Sequence, residues 1–550
     1  MTATAVPPVV DTADRDGGDD TTAEPPRTGR SVPAALAAWH DPYARRGWVG
    51  TLVVAALAVL TRFWALGFPP GSNVVPKNGM NFDEVYYTVE AQEMLRFGYE
   101  DNRGYMFIVH PPLGKLLIAL SEGAWDGSRS EYLTNSVGWR IAPAVFGCIG
   151  VVLMTRIVRR MMRSNVFGVL GGLLMVMEGM SLVLARTAIL DIFLQTFIIG
   201  GFGALVVDRD KMRARLGALI ADGADLSAGA PSLGPRPWRL LGGVLLGLAC
   251  AVKWTGAYFF IALLVLTLLW DRAALRSAGV RKPLRSWSYR SVLPGVGSLI
   301  AAPVGVYLLT YLGWFTGENG WNRHWADSHK TSARLDLWGV RVPFDWGWVP
   351  GPLRSLGWNT LDAYRFHEGL DSGHAYGSKP WSWLVMGRPV DFYYDGSSTS
   401  CGASSCSREV LLIGTPIMWW AFVPMLLWLG WHWFTTRDWR AGTVWMAFIA
   451  GWLVWFLDLK RTMFLFYMAP LVPFLIIGLV LAIGAVLGPA VDTRAGGAEH
   501  ALRRRRWGIA AVSVFLALVV ADFAWMWPIF TGGLQTYSEW HAHMWLPSWV

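Results

Sequence analysis

Residues 47–67 read GWVGTLVVAALAVLTRFWALG. The run reaches the ~20 predominantly apolar residues that a helix needs to cross a bilayer. Arg45 and Arg46 stand directly before it. Basic residues beside a span mark its cytoplasmic side, so the N-terminus is expected inside. Upstream, residues 1–44 are rich in Ala, Thr, Asp, Gly and Pro, with acidic residues at Asp14, Asp16, Asp19 and Asp20. The order basic start, apolar stretch, small-residue cleavage site is not met, so this segment reads as a disordered cytoplasmic tail rather than a signal peptide.

Downstream the pattern recurs. Eleven spans are expected, at about 47–67, 136–156, 165–184, 188–207, 239–253, 256–270, 291–314, 409–432, 441–457, 465–488 and 508–528. The run 239–270 is too long for one untilted helix. A lysine at the bilayer midplane is costly, so Lys253-Trp254-Thr255-Gly256 reads as a tight outer turn between two short spans. Composition agrees. The chain of 550 residues is 53% hydrophobic and only 16% charged, against about 25% charged in soluble domains. This excludes a disordered chain, a disulfide-rich secreted scaffold and an ordinary cytosolic enzyme. The +9 formal charge resides in arginines at the ends of apolar runs. That is a topology signal, so nucleic acid is not expected as a partner.

Charge also orients the spans. Arg156, Arg159, Arg160 and Arg163, then Arg209 to Arg215, Arg272 to Lys282, Arg437 with Arg440, and Arg503 to Arg506 fall in alternate loops. The expectation is an all-α polytopic integral membrane protein with the C-terminus, including the tail 531–550, outside the cytoplasm. Two outer segments, 68–135 and 315–408, are too long for turns, and loops of that length tend to carry function. No internal repeat of the transporter type is visible.

The first outer segment contains Asn81-Phe82-Asp83-Glu84-Val85-Tyr86-Tyr87. Two explanations stand side by side. Asn81 and Glu84 have the spacing of a capping box, and acidic residues suit a helix start. Alternatively, Asp83 projects as a base. His110-Pro111-Pro112-Leu113-Gly114-Lys115 opens a short apolar stretch suited to an interfacial helix. Its His110 and Lys115 either meet an anionic head group or anchor the helix. Arg140, just inside the second span, is either a phosphate ligand or a snorkelling side chain. Arg186 with Asp191 or Glu178 forms an ion pair or part of a site. With Lys253, these groups all fall at the outer face. Carboxylates and cations gathered there suit a substrate with an anionic head and a lipid tail.

In the second outer segment, His367, Glu368, His374, Lys379, Trp381 and Arg388 are candidates for substrate contact. Aromatic residues here serve either as an interfacial belt or as a sugar-stacking platform. His367 and His374 lack a tight third ligand, so no metal is assigned. Cys401 and Cys406 face an oxidising exterior, which permits a disulfide; two free thiols are the alternative. Cys148 and Cys250 read as small core residues. No phosphate-binding glycine loop, dinucleotide fingerprint or nucleophile elbow appears.

Asp83-Glu84, His110 to Lys115, Arg140, Ala185-Arg186-Thr187-Ala188-Ile189-Leu190-Asp191 and Val252-Lys253-Trp254-Thr255-Gly256, in this order, resemble the protein O-mannosyltransferases, in particular their actinobacterial branch. The resemblance runs from about residue 45 to the C-terminus. It implies the GT-C fold of membrane glycosyltransferases, with interfacial helices in the first outer segment and an active site on the extracytoplasmic face of the plasma membrane. It further implies polyprenyl-phosphate mannose as donor and Ser or Thr of exported polypeptides as acceptor. No cofactor or divalent metal is implied. Asp83 matches the family's essential acid, Glu84 its partner and Arg140 a basic residue near the donor phosphate; His110, Lys115 and Lys253 match motif positions, and Arg186 is grouped with them. The eukaryotic members' large lumenal domain is replaced here by 315–408, so acceptor recognition and any link to the secretion channel stay open. Another GT-C transferase acting on a glycan or lipid, and a transporter or flippase, are the alternatives.

Overall fold

The computed structural model describes residues 31–39, 43–70, 80–101, 108–126, 136–227, 229–337, 340–397, 400–488 and 498–550. The acidic cluster of the expected tail lies outside the described residues. Residues 31–39 do not follow the expectation of disorder: a short turn places Leu36 in a buried cluster with Met212 and Leu216.

The chain is mostly helical. After α1 (Ala44–Phe63), the first outer segment holds α2 (Glu84–Phe97) and α3 (Leu113–Asp126). Then come α4 (Ser136–Met162), α5 (Asn165–Val176), α6 (Gly179–Leu184), α7 (Asp191–Ala221), α8 (Pro237–Val252), α9 (Gly256–Ser277) and α10 (Pro283–Thr310). The second outer segment contains the hairpin β1 (Ser332–Leu337) and β2 (Val340–Asp345), then α11 (Gly351–Glu368) and β3 (Val390–Asp395), and leads into β4 (Cys406–Leu412). The chain continues through α12 (Pro416–Thr436), α13 (Trp439–Trp452), α14 (Leu465–Leu487), α15 (Ala498–Thr531), β5 (Gln535–Thr536) and α16 (Tyr537–Ala542).

Among the described residues, eight helices are long and apolar enough to cross a membrane: α1, α4, α7, α9, α10, α12, α14 and α15. In hydrocarbon a helix satisfies every backbone group within itself, which is why such runs adopt this form. The core sits around α7 and α14, the most enclosed of the eight, while α1, α10 and α15 are the most open. The long run 239–270 is broken between Val252 and Gly256.

Four expectations change. The span expected at 165–184 is two helices. The break frees the Met177 carbonyl and the Gly179 amide, and the Thr415 hydroxyl bridges both, accepting from Gly179 N at 3.1 Å and donating to Met177 O at 2.5 Å. Glu178 caps α6 by accepting from Met180 N and Ser181 N, and receives Trp419 Nε1 at 2.8 Å. It therefore has no role as a partner for Arg186. The span expected at 409–432 starts later, at Pro416, because residues 406–412 form the central strand of a three-stranded antiparallel sheet, β3-β4-β5. The apolar run at Val410, Leu411 and Leu412 is buried within the protein. The fold is accordingly not purely helical, though strand is a small part of it.

Arginines finish two helix ends. Arg62 is fully buried and donates to Met175 O at 2.8 Å and Val176 O at 2.9 Å, the last carbonyls of α5. Arg186 donates to the carbonyls of Trp64 and Ala65 just beyond α1. Unpaired carbonyls and the negative helix end both favour a cation there.

Candidate active site

A cavity of about 730 Å³ opens where the first outer segment, the turns before α7 and α9, the second outer segment and the loop before α14 converge. Its charged and titratable lining comprises Asp83, Glu90, His110, Asp191, Lys253, His367, His374 and Arg461. Aromatic residues, including Phe82, Tyr87, Trp254, Phe464 and Tyr467, make up much of the remaining wall.

The adjacent carboxylates Asp83 and Glu84 part company. Glu84 opens α2 and is fully buried. It accepts four hydrogen bonds: from Arg140 Nε at 2.8 Å, Arg140 Nη2 at 2.7 Å, Ala188 N at 2.8 Å and Asn81 N at 2.8 Å. Arg140 uses Nη1 on Pro69 O at 2.9 Å. A bidentate pair with its remaining lone pairs filled is the geometry that makes a buried ion pair tolerable. The outcome is that Arg140 and Glu84 form a brace joining α2, α4 and the turn before α7. Arg140 does not line the cavity, which corrects its assignment to the donor phosphate.

Asp83 precedes α2, and its side chain makes no capping bond to the helix. The capping explanation therefore fails for this carboxylate. For Asn81 and Glu84 only half of the box exists, since Asn81 Oδ1 has no partner among the described residues. The Tyr87 hydroxyl lies 3.5 Å from Asp83 Oδ2, at the long limit of a hydrogen bond. Burial raises the Asp83 carboxyl to about 6; Lys253 opposes that shift, and Asp191 adds to it. A buried acid poised near neutrality beside a cation is a group able to take up a proton.

Lys253 Nζ donates to Asp191 Oδ2 at 2.6 Å, so the ion pair assigned to Arg186 belongs to Lys253 instead. The turn between α8 and α9 and the start of α7 thus deliver one paired cation and carboxylate to the cavity. Lys115 is not in the lining. It is fully buried, donating to Glu90 Oε2 at 3.1 Å, to Glu100 and to His110 O at 3.1 Å. Burial lowers its basicity and raises that of Glu90. Its role is to hold Glu90, which does face the cavity.

His110 and His367 lie with ring centroids 5.2 Å apart. Both are held neutral, first by burial and then by nearby cations: His110 is pushed well below the ordinary histidine range and His367 to about 4. His374 packs edge-on against Phe82 and Phe464. Among the described residues no three His, Cys, Asp or Glu side chains come together in a metal-binding group.

The remaining candidates lie outside the cavity lining. Glu368 is exposed. Lys379 donates to Leu459 O at 2.6 Å and Arg461 O at 3.2 Å, so it ties down a loop. Trp381 is exposed beside Phe456. Arg388 donates to Ala375 O at 3.1 Å and Val550 O at 2.9 Å, clamping the end of the chain. A disulfide joins Cys401 to Cys406, the first residue of β4, and Cys148 and Cys250 are free. Further along the sheet, Glu409 accepts from Trp540 Nε1 at 2.6 Å, and Asp391 from the Tyr376 hydroxyl at 3.1 Å.

Two charged lining residues were not anticipated. Glu90 follows Asp83 by seven residues and Tyr87 by three, one face of a helix, a spacing that could have revealed it. Arg461 sits in Asp458-Leu459-Lys460-Arg461, which resembles an ordinary flank of the apolar run that follows.

Comparison with known proteins places this geometry. Residues 52–316 match the model "Dolichyl-phosphate-mannose-protein mannosyltransferase", and residues 360–549 match "C-terminal four TMM region of protein-O-mannosyltransferase". A polyprenol-phosphate-mannose–protein mannosyltransferase of Mycobacterium tuberculosis is 40% identical over 92% of each chain. One from Corynebacterium glutamicum is 34% identical over 90% of this chain and 92% of that one. The fold is shared with the Saccharomyces cerevisiae protein O-mannosyltransferase Pmt1-Pmt2 complex bound to the sugar donor, at a TM-score of 0.67 and 15% identity over 92% of this chain and 93% of that one. The chain belongs to the dolichyl-phosphate-mannose–protein mannosyltransferase family.

Proposed function

We propose that this chain transfers mannose from polyprenyl-phosphate mannose to Ser or Thr hydroxyls of exported polypeptides, with Asp83 as the base. The observation that carries the assignment is Asp83 itself: a buried, uncapped carboxylate in the cavity that also holds the Asp191–Lys253 pair and Arg461. The donor's anomeric C–O bond breaks as the acceptor oxygen attacks from the opposite face of the sugar. The bonding electrons leave with the lipid phosphate, whose growing charge Lys253 and Arg461 stabilise. The acceptor proton passes to Asp83 in the same step. One displacement inverts the centre, so a β-linked donor gives an α-mannosyl product without a covalent enzyme intermediate. Cationic side chains neutralise the phosphate, so no divalent metal is required.

The accompanying topology is eleven spans with the N-terminus in the cytoplasm, the C-terminus outside and the cavity at the extracytoplasmic face of the plasma membrane. The alternating basic loops and the gathering of Asp83, His110, Asp191 and Lys253 in one cavity support it. The acceptor enters as a flexible segment.

The test is transfer of radiolabelled mannose from polyprenyl-phosphate mannose to a Ser/Thr-rich peptide by membranes containing the chain, with and without EDTA. Alkali-labile α-mannosyl peptide formed equally in both supports the assignment. Transfer only to a glycan or lipid would refute the acceptor, and loss with EDTA would refute the metal-free mechanism.

A further inference from the structure

Arg461 differs from the other cations around the cavity. Lys253 is committed to Asp191, and Lys115 to Glu90 and Glu100. Arg461 lines the cavity, and among the described residues no carboxylate lies within ion-pair distance of it. Its Nε is buried without a hydrogen-bond partner among those residues. The guanidinium carbon lies 5.8 Å from the Trp455 ring and 5.7 Å from the Tyr467 ring, a setting that stabilises a desolvated cation.

The loop that carries it is fastened to the second outer segment. Lys379 holds the Leu459 and Arg461 carbonyls. Thr462 N donates to Leu370 O at 2.8 Å, Gly373 N to Thr462 Oγ1 at 3.2 Å and Ser378 N to Met463 O at 2.8 Å. The side chain is held by His367. His367 Nε2 lies 3.0 Å from Val109 O, which only accepts, so Nε2 carries the proton. The free lone pair is then on Nδ1, which receives Arg461 Nη2 at 3.1 Å. One imidazole tautomer satisfies both contacts, and the depressed histidine basicity keeps that neutral form.

We propose that Arg461 is the anchor for the donor's lipid-linked phosphate and that His367 is the positioning residue that aims its guanidinium. The proposal rests on the transfer reaction above. A planar fork with unused donors matches two phosphate oxygens, which an ammonium already engaged by a carboxylate does not.

The full-length chain, reconstituted in lipid nanodiscs, provides the test through Arg461→Gln, Arg461→Lys, His367→Phe and His367→Gln. The probes are polyprenyl-phosphate mannose, acceptor peptide, polyprenyl phosphate as a sugar-free competitor, and inorganic phosphate. Arg461→Gln is expected to raise the donor KM and the polyprenyl-phosphate inhibition constant by about 10- to 100-fold, the loss of charge-assisted hydrogen bonds, with the acceptor KM unchanged. Arg461→Lys keeps the charge without the fork and falls between; it also serves if the Gln variant does not fold. His367→Phe shifts the same two constants in the same direction, and His367→Gln, which retains a donor and an acceptor, restores most of the loss. Inorganic phosphate competing as well as polyprenyl phosphate in the wild type, but not in Arg461→Gln, would assign the site to the phosphate alone and still support the anchor. Unchanged polyprenyl-phosphate inhibition in Arg461→Gln overturns the anchor, and unchanged constants in His367→Phe overturn the positioning role. Should the wild type transfer no mannose, direct binding of polyprenyl phosphate to wild type and Arg461→Gln separates the two ideas: weaker binding by the variant upholds the anchor while the transfer reaction fails.

Discussion

Removing Arg140 separates a brace from a phosphate ligand. In the structure Arg140→Met leaves the Glu84 carboxylate fully buried with, among the described residues, only the Ala188 and Asn81 amides as donors. Breaking a buried pair from one side costs about 3–5 kcal/mol, because the orphaned charge has no route to water. Glu84→Gln alone replaces the carboxylate facing the buried guanidinium with a neutral amide, and carries a similar penalty. The double variant removes both charges while Gln still accepts from the Ala188 amide. Its loss should fall short of the sum of the singles by about 2–4 kcal/mol, since the coupling lies within the pair. Unfolding titrations in mixed micelles measure all four corners, and donor KM is measured on whatever fraction remains folded. Wild-type stability of Arg140→Met together with a raised donor KM would refute the brace and return Arg140 to the phosphate.

Three further outcomes follow from the same contacts. Asp83 must be ionised to accept a proton and is held near 6, so transfer at saturating substrate should fall about tenfold for each pH unit below that value; a rate flat from pH 7 to 4.5 would exclude it as the base. Burial, reinforced by Asp391, pushes the Glu409 carboxyl up to about 8, above its unfolded value of about 4.3. The folded state therefore favours the protonated acid, stability drains away as pH rises towards 8, and Glu409→Gln should flatten the thermal midpoint between pH 5 and 9. Thr415→Val strips the hydroxyl that bridges Met177 O and Gly179 N, and should destabilise the protein by about 1–3 kcal/mol in the same micelle titration, while Thr415→Ser should not.

The long apolar helices are legible in the sequence because span length and composition are local properties. The break at Lys253 is visible for the same reason: its cost at the midplane does not depend on what it touches. The strand at 406–412 is not legible, because an apolar run bound for lipid and one bound for a protein interior have the same composition. The site divides similarly. Asp83, Asp191, Lys253, His110, His367 and His374 are marked by type and face. The fate of Arg140 depends on Glu84, distant in sequence and adjacent to the acid that does reach the cavity. An intramembrane arginine looks the same whether a carboxylate or a phosphate neutralises it, and only the partner distinguishes a brace from a ligand. Arg461 was hidden for the converse reason, since flanking arginines of apolar runs ordinarily serve topology.

The most direct test of the central claim compares wild type with Asp83→Asn in mannose transfer from polyprenyl-phosphate mannose to a Ser/Thr peptide, alongside polyprenyl-phosphate binding. The predicted result is transfer reduced by at least about 100-fold, the scale of a lost general base, with the lipid phosphate bound as tightly as by the wild type. Transfer by Asp83→Asn at the wild-type rate would contradict the account.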